Sequence, residues 1–163
     1  MQFVDPHLDP WAALDDNAVP SGDPARPWSL LSRSQWLALR DTWPKDMPVG
    51  VLWENDDAIE ELVPDLPRLS LVALVFPKWT DGRAYSQARL LRSRYRFKGE
   101  VRACGEVLVD MLPLLVRTGF DRVVLRSDKS PQAAERALQL AHEHHYQGDA
   151  RFSRPWFAQH AAL

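Results

Sequence analysis

Four short apolar runs mark out the chain beyond residue 48. They are residues 49–53, 69–76, 101–104 and 123–125. Each run is nearly continuous rather than alternating, which is typical of strands that are covered on both faces. Segments with helical periodicity lie between and after the runs, at residues 56–63, 83–96, 106–118 and 131–145. Strands and helices that alternate in this way predict right-handed βαβ units and a parallel sheet.

This order of elements predicts an α/β protein with a parallel sheet of about four strands and flanking helices. Two architectures fit: an open three-layer sheet, or a half-barrel whose edges need a partner or an extra layer. The length of the chain favours the open sheet. Gly119 is placed to end the third helix, and Ser130 with Pro131 to begin the fourth. Pro113 must kink or divide the third helix.

The residues before the first apolar run have a different composition. Residues 1–27 contain five prolines and five aspartates, and proline fixes φ and removes a backbone donor. We therefore predict an irregular arm, rich in proline and tryptophan, that lies across the domain or across a partner subunit. A short helix is expected within residues 29–43, capped by a serine and ended by Pro44.

These patterns divide the chain into three parts. We predict an arm and short helix over residues 1–47, an α/β core over residues 48–150 and a C-terminal tail over residues 151–163.

Composition narrows the class of protein. The 163 residues are 45% hydrophobic and 26% charged, as in ordinary soluble globular proteins. No apolar run approaches the roughly 20 residues that span a bilayer, and the first residues lack the features of a secretory signal. The single Cys104 excludes an internal disulfide, and the net charge of −2 argues against binding to nucleic acid. We expect a cytoplasmic protein without a membrane or nucleic-acid partner.

The charge is strongly polarised along the chain. Residues 78–102 contain eight basic and two acidic residues, a formal charge of +6, whereas the other residues contain 12 basic and 20 acidic ones, or −8. Such a distribution favours attraction of a negative ligand or partner.

Two side-chain stripes are predicted for the helix that begins near Gly82. Ala84, Ala88, Leu91 and Tyr95 form the apolar stripe. Tyr85, Arg89, Arg92 and Arg96 form a second stripe about 100° round the helix. Three interpretations of the arginine stripe stay open: a solvated and internally paired face, a site for an oxyanion or nucleotide phosphate, and a docking face for an acidic protein.

The loop before this helix follows the longest apolar run, and ligands gather at the carboxyl ends of parallel strands. The anion or partner site is therefore predicted to include Lys78, Asp81, Gly82, Arg83, Tyr85, Ser86, Arg89 and Arg92. Glu54, Glu106 and Asp128 follow other strands and are candidates for a rim of mixed charge. Rim carboxylates could be acid–base groups, or helix caps and ion pairs.

Other chemistry-bearing residues give weaker signals. His142 and His145 are three positions apart on a helix, but the spacing implies no third metal ligand. Cys104 ends an apolar run and is interpreted as a core residue or as a thiolate on the rim. The chain has no Gly-rich nucleotide loop and no Cys-x-x-Cys pair, so neither a cofactor nor a metal is predicted.

One stretch carries a family resemblance. Residues 76–92 read Phe-Pro-Lys-Trp-Thr-Asp-Gly-Arg-Ala-Tyr-Ser-Gln-Ala-Arg-Leu-Leu-Arg, and with residues 97–108, 119–121 and 146–147 they resemble the bacterial domain of unknown function 934. The family pattern differs at Glu106, Met111 and Thr118, where Asp, Gln and Cys are usual. Those departures weaken any essential chemical role for these three positions.

The resemblance implies a context in sulfur metabolism. Members of the family are commonly encoded beside the sulfite reductase of sulfate assimilation, and some are labelled oxidoreductases. We therefore expect an accessory protein of sulfite reduction that binds a small oxyanion or docks to sulfite reductase, with a homodimer as a further possibility. The alternatives are an oxidoreductase with a dissociable cofactor and a purely structural interaction module.

Overall fold

The structure is a computed structural model that describes residues 1–5, 8–13, 26–125 and 131–143. Seven strands lie within these residues: β1 (Gln2–Phe3), β2 (Ala12–Ala13), β3 (Ser29–Ser32), β4 (Val49–Trp53), β5 (Leu71–Phe76), β6 (Glu100–Gly105) and β7 (Arg122–Val123). The α-helices of the same residues are α1 (Arg33–Leu39), α2 (Arg83–Arg89), α3 (Leu112–Thr118) and α4 (Pro131–Glu143). Two 3₁₀ segments, Ile59–Arg68 and Val109–Met111, and a π-helical turn, Leu90–Arg94, complete these elements.

All seven strands are parallel and form one curled sheet in the order β1-β7-β6-β5-β4-β3-β2. From β3 to β7, neighbours in the sequence are neighbours in the sheet. Each new strand is added on the same side, so the strand order does not reverse as it does in a doubly wound sheet. The protein is therefore a half-barrel, and the preference for the open sheet was wrong.

The expected number of strands was too low. The apolar runs correctly located β4 to β7 to within two residues. They missed β3, a four-residue strand inside a segment that was interpreted as helical. They also missed β1 and β2, because two residues are too few to show a periodicity.

Alternate strand residues separate the two faces of the sheet. Val72, Leu74 and Phe76 of β5 are buried in the main hydrophobic core together with Trp36, Leu91 and Leu115. Val101 and Ala103 of β6 belong to the same core, so the residues between them face the concave side. The core thus lies between the sheet and its helices.

Residues that were predicted to begin, divide or end helices are found at helix ends in the structure. Ser32 caps α1: its Oγ accepts a hydrogen bond from the Gln35 backbone N–H, and the Gln35 side chain accepts one from the Ser32 N–H. Pro113 lies in the first turn of α3, and the predicted helix is divided there into a 3₁₀ turn and an α-helix. Gly119 ends α3 with φ 103°, a conformation that favours glycine. Ser130 lies outside the described residues.

One predicted helix is of a different kind. The segment expected at residues 56–63 is a 3₁₀ helix over Ile59–Arg68, and it contains Pro64 and Pro67. Proline has no N–H to donate to the i−4 carbonyl, so an α-helix is not sustained here.

The predicted irregular arm is only partly within the described residues. Its described portions include β1, which pairs with β7, and β2, which pairs with β3, at the two edges of the sheet. Residues 6–7, 14–25 and the predicted tail at 151–163 lie outside the described residues. No helix in the described part of the chain is long and apolar enough to cross a membrane.

Candidate functional site

Helix α2 packs on the sheet with the predicted apolar stripe. Ala84, Ala88 and Leu91 are fully buried, and Tyr95 is half-buried at the edge of the core. The Gln87 amide nitrogen fixes the helix to the loop after β4, donating to the carbonyl oxygens of Glu54 and Asp57 at 2.9 Å each. The position of α2 on the sheet is therefore set by apolar burial and by one buried amide.

The second predicted stripe does not lie on one surface. Arg89 is exposed, whereas the Arg92 side chain is only 9% exposed. The Arg92 guanidinium donates to the carbonyl oxygens of Phe97, Gly99 and Gly119 at 2.7–2.9 Å and pairs with the Asp121 carboxylate. Arg92 therefore ties three backbone segments together inside the protein.

Tyr85 also turns inward. Its ring lies edge-on to Phe76 with centroids 5.1 Å apart and edge-on to Phe120 at 6.4 Å. Burial raises the pKa of the Tyr85 phenol. The ring is thus part of the packing between α2, β5 and the loop before β7.

Four other predicted residues, together with Trp79, form an exposed surface on α2 and the loop before it. We call Lys78, Trp79, Arg83, Ser86 and Arg89 the basic helix surface; all five are exposed, Trp79 by 59%. Gly82 is the N-cap residue of α2 and is also exposed.

Asp81 and Arg83 form an ion pair at the start of α2. The Arg83 Nη2 lies 2.8 Å from Asp81 Oδ2, and its Nε lies 3.1 Å from Oδ1. Asp81 also accepts the Arg83 backbone N–H at 3.2 Å, as a cap does. These hydrogen bonds, with a smaller contribution from Asn55, hold the pKa of Asp81 well below its usual range.

The rim carboxylates are in different environments. Glu54 is exposed at the end of β4, and its pKa is raised by partial desolvation of the carboxylate and by the charges of Asp56 and Asp57. Glu106 is half-buried, and its backbone N–H donates to the Phe76 carbonyl at 2.8 Å. Asp128 lies outside the described residues. The structure brings Asn55, Asp81 and Arg83 together, and the described rim candidates, Glu54 and Glu106, are not part of that ion pair.

Cys104 lies on the concave side of β6. Burial raises the pKa of its thiol to about 12, with a smaller contribution from the charge of Glu54. The thiol donates a long hydrogen bond, 3.4 Å, to the Leu74 carbonyl oxygen. A thiol with such a pKa is protonated at neutral pH, which favours the core interpretation over a reactive thiolate.

A buried ionic network on the concave side was missed by the sequence analysis. Arg102 of β6 pairs with Asp9 at 2.6 Å and with Glu100 at 2.7 Å, and Glu100 lies 3.7 Å from Arg122. Asp9 and Arg102 are 93 residues apart, so no spacing in the sequence links them. The sequence does show that the polar residues Glu100, Arg102 and Cys104 alternate with apolar residues along β6, and this pattern could have indicated a polar face.

Two cavities open elsewhere, at the amino ends of the strands. One of about 440 Å³ is lined by residues at the starts of β1, β6 and β7, and one of about 330 Å³ lies between the 3₁₀ segment and the loop before β6. Lys98 and Gly99 line both of them. No residue of the basic helix surface lines either cavity.

The metal interpretation of the histidines gains no support from the described part of the chain. No group of three or more His, Cys, Asp or Glu side chains there is arranged to hold a metal ion. His145 lies outside the described residues, and only the backbone of His142 is described.

The fold and site define a class of protein: a parallel α/β half-barrel with a basic, tryptophan-bearing helix surface beside the carboxyl ends of its strands. Residues 50–157, more than half of the chain, match the family described as "Bacterial protein of unknown function (DUF934)", and the chain belongs to that family. A comparison with the curated proteins finds no match.

Proposed function

We propose that the protein is an accessory protein of assimilatory sulfite reduction that docks to an acidic surface of sulfite reductase. The docking face would be the basic helix surface. The observation that carries this proposal is Trp79, which is 59% exposed and stands beside Lys78 in the loop that leads to α2. Tryptophan and arginine are the residue types most enriched at the energetic centres of protein interfaces.

The charges on this face are available to a partner. Arg89 makes no hydrogen bond or ion pair with its side chain among the residues that the structure describes. Arg83 is held by Asp81, but the Arg83 side chain is 56% exposed and can contact a partner as well. Exposed cations of one sign raise the rate of encounter with an acidic protein.

The arrangement supports docking better than binding of a small oxyanion by the same residues. Arg92 bonds inward to backbone carbonyls, and Arg83 already bonds to a carboxylate. The three arginines of the predicted site therefore do not converge on one point. A protein surface can contact separated cations together with an exposed indole, whereas a sulfate ion cannot.

The test is binding to purified sulfite reductase at low and moderate ionic strength. Arg89→Glu should lower the association rate about tenfold at low salt, because charge steering acts on encounter. Trp79→Ala should raise the dissociation rate, because an interface anchor is lost. Lys45→Glu is the matched control: it makes the same change of charge at an exposed position outside the surface, and both rates should stay near wild type.

Two results would overturn the proposal. The first is no salt-dependent binding of the wild-type protein to the reductase. The second is equal loss of binding in Arg89→Glu and Lys45→Glu. Binding of sulfate measured by calorimetry, abolished by Arg89→Glu and without binding to the reductase, would establish the oxyanion interpretation instead.

A further inference from the structure

The concave side of the half-barrel is covered by the chain's own N-terminal residues. β1 pairs with β7 at one edge of the sheet and β2 pairs with β3 at the other. Of the described residues between β1 and β2, Asp9 reaches Arg102 of β6 and Trp11 reaches Gly50 of β4. An acidic and an aromatic side chain therefore lie together on this face.

Arg102 holds the Asp9 carboxylate in the geometry of a recognition site. Its side chain is 3% exposed. Nη1 donates to Asp9 Oδ2 at 2.6 Å and Nη2 to Oδ1 at 3.1 Å, while Nε donates to Glu100 at 2.7 Å. The two Nη atoms thus each donate to one oxygen of the same carboxylate, and this fork suits any carboxylate that can reach Arg102.

The ionic network is electrically neutral only when one anionic group besides Glu100 is bound. Arg102 and Arg122 are compensated by Glu100 and Asp9. Without Asp9, Arg102 keeps only Glu100, which lies 3.7 Å from Arg122 as well, and its two buried Nη atoms lose their acceptors, which is costly away from water. A single carboxylate restores the balance.

The space beside the carboxylate is shaped for a flat ring. A Cβ atom at Gly50 would lie 3.0 Å from both the Trp11 ring and the Leu71 Cβ. Glycine at this strand position leaves the room that the indole occupies, because any larger residue would meet the ring. The face therefore holds a carboxylate and an aromatic ring at once.

The covering segment has few other contacts. β2 contains two residues, both exposed, and Leu8 is 80% exposed. Trp11 meets Trp28 edge-on at 5.2 Å, and Trp28 has φ 65°, a strained conformation for a bulky residue. A competing ligand would therefore displace little besides the Asp9 and Trp11 contacts themselves.

We propose that the concave face is a binding site for small carboxylates that carry a flat apolar ring, with Asp9 and Trp11 occupying it in their place. The ligand's carboxylate binds the Arg102 fork, and its ring packs over Gly50. This site is separate from the basic helix surface, and its test is independent of docking.

Indole-3-acetate is the probe, and tryptamine, which has the same ring without a carboxylate, is its matched control. The double variant Asp9→Ala/Trp11→Ala empties the site. It should bind indole-3-acetate at least about tenfold more tightly than tryptamine, and its melting temperature should rise with indole-3-acetate concentration. Adding Arg102→Gln should remove this preference. Equal binding of the two compounds by the double variant would overturn the proposal.

The wild-type chain provides a second test that does not depend on the folding of any variant. The Ala12 N–H donates to the Trp28 carbonyl at 3.1 Å. Saturating indole-3-acetate should speed hydrogen exchange at Ala12, as the segment is displaced, and tryptamine should not. Unchanged exchange at Ala12 with indole-3-acetate would show that the segment is a fixed part of the fold and would also overturn the proposal.

Discussion

Replacing Arg92 by methionine should destabilise the protein, whereas the same change at Arg89 should not. The two arginines are three positions apart in one helical segment. The Arg92 guanidinium bonds to three backbone carbonyls and to the Asp121 carboxylate, and lies 5.8 Å from the centre of the Phe97 ring. Methionine keeps the apolar stem of arginine, so the change isolates the loss of these polar contacts.

The expected loss follows from how many partners lose a donor. Removing one side of a buried ion pair costs about 3–5 kcal/mol, and single hydrogen bonds to a charged group contribute about 1.5–3 kcal/mol. The Asp121 carboxylate is 31% exposed and keeps the Val101 N–H at 2.8 Å, so part of the loss is recovered by water and by this bond. We therefore expect about 3 kcal/mol from Arg92→Met, towards the lower end of the range.

Urea unfolding measures this difference. With a slope of about 2 kcal/mol per molar, the midpoint of Arg92→Met should fall by about 1.5 M without a change of slope. Arg89→Met, the matched control at an exposed position, should leave the midpoint unchanged. Arg92→Lys should be nearly as unstable as Arg92→Met, since one ammonium group cannot reach four acceptors. Equal midpoints for Arg89→Met and Arg92→Met would refute the structural role of Arg92.

Three further outcomes are expected. Glu54→Gln should raise the melting temperature at pH 7, and this gain should disappear towards about pH 4. The raised pKa means that ionised Glu54 destabilises the folded protein, and this cost exists only where the carboxyl group is ionised in the unfolded chain. An equal gain at both pH values would contradict this. Cys104 should resist iodoacetamide at pH 8 until urea unfolds the chain, since its thiol has a pKa of about 12; rapid labelling of the native protein would place it on the surface. Gly105→Ala should cost about 1–3 kcal/mol from its φ of 89° alone, whereas Gly82→Ala, with its nearest neighbour at 3.5 Å, should be tolerated; calorimetric melting of both variants checks the contrast.

The strands that were found from the sequence are those whose burial is visible locally. Residues 49–53 and 71–76 are apolar throughout because residues on both faces of the sheet are buried or half-buried there. The choice between an open sheet and a half-barrel was not visible, since both use the same βαβ units. It is decided by the order of the strands, since from β3 to β7 each new strand is added on the same side of the sheet.

The arginine stripe was only half predictable because Tyr85 and Arg92, seven residues apart on one side of the helix, both turn inward, whereas Arg89 is exposed. An advance of 100° per residue holds through Arg83–Arg89 and correctly places Ala84 and Ala88 in the core. The turn from Leu90 is π-helical: the Tyr95 N–H donates to the Leu90 carbonyl at 3.0 Å, five residues back. Arg92 points inward because the carbonyl oxygens of Phe97, Gly99 and Gly119 and the Asp121 carboxylate lie within its reach, and these partners come from loops that helical periodicity does not show.

The charge asymmetry that favours docking survives these corrections. Of the eight basic residues in 78–102, Arg92 and Arg102 are internal, and so is the acid Glu100. Six basic residues and one acid, Asp81, are left towards solvent, so the exposed charge of the segment is still +5. The internal arginines are neutralised mainly by Asp121 and Asp9, which come from outside the segment, so they do not reduce the exposed positive charge of the segment. Attraction of an acidic partner depends on that exposed charge rather than on the number of arginines in the sequence.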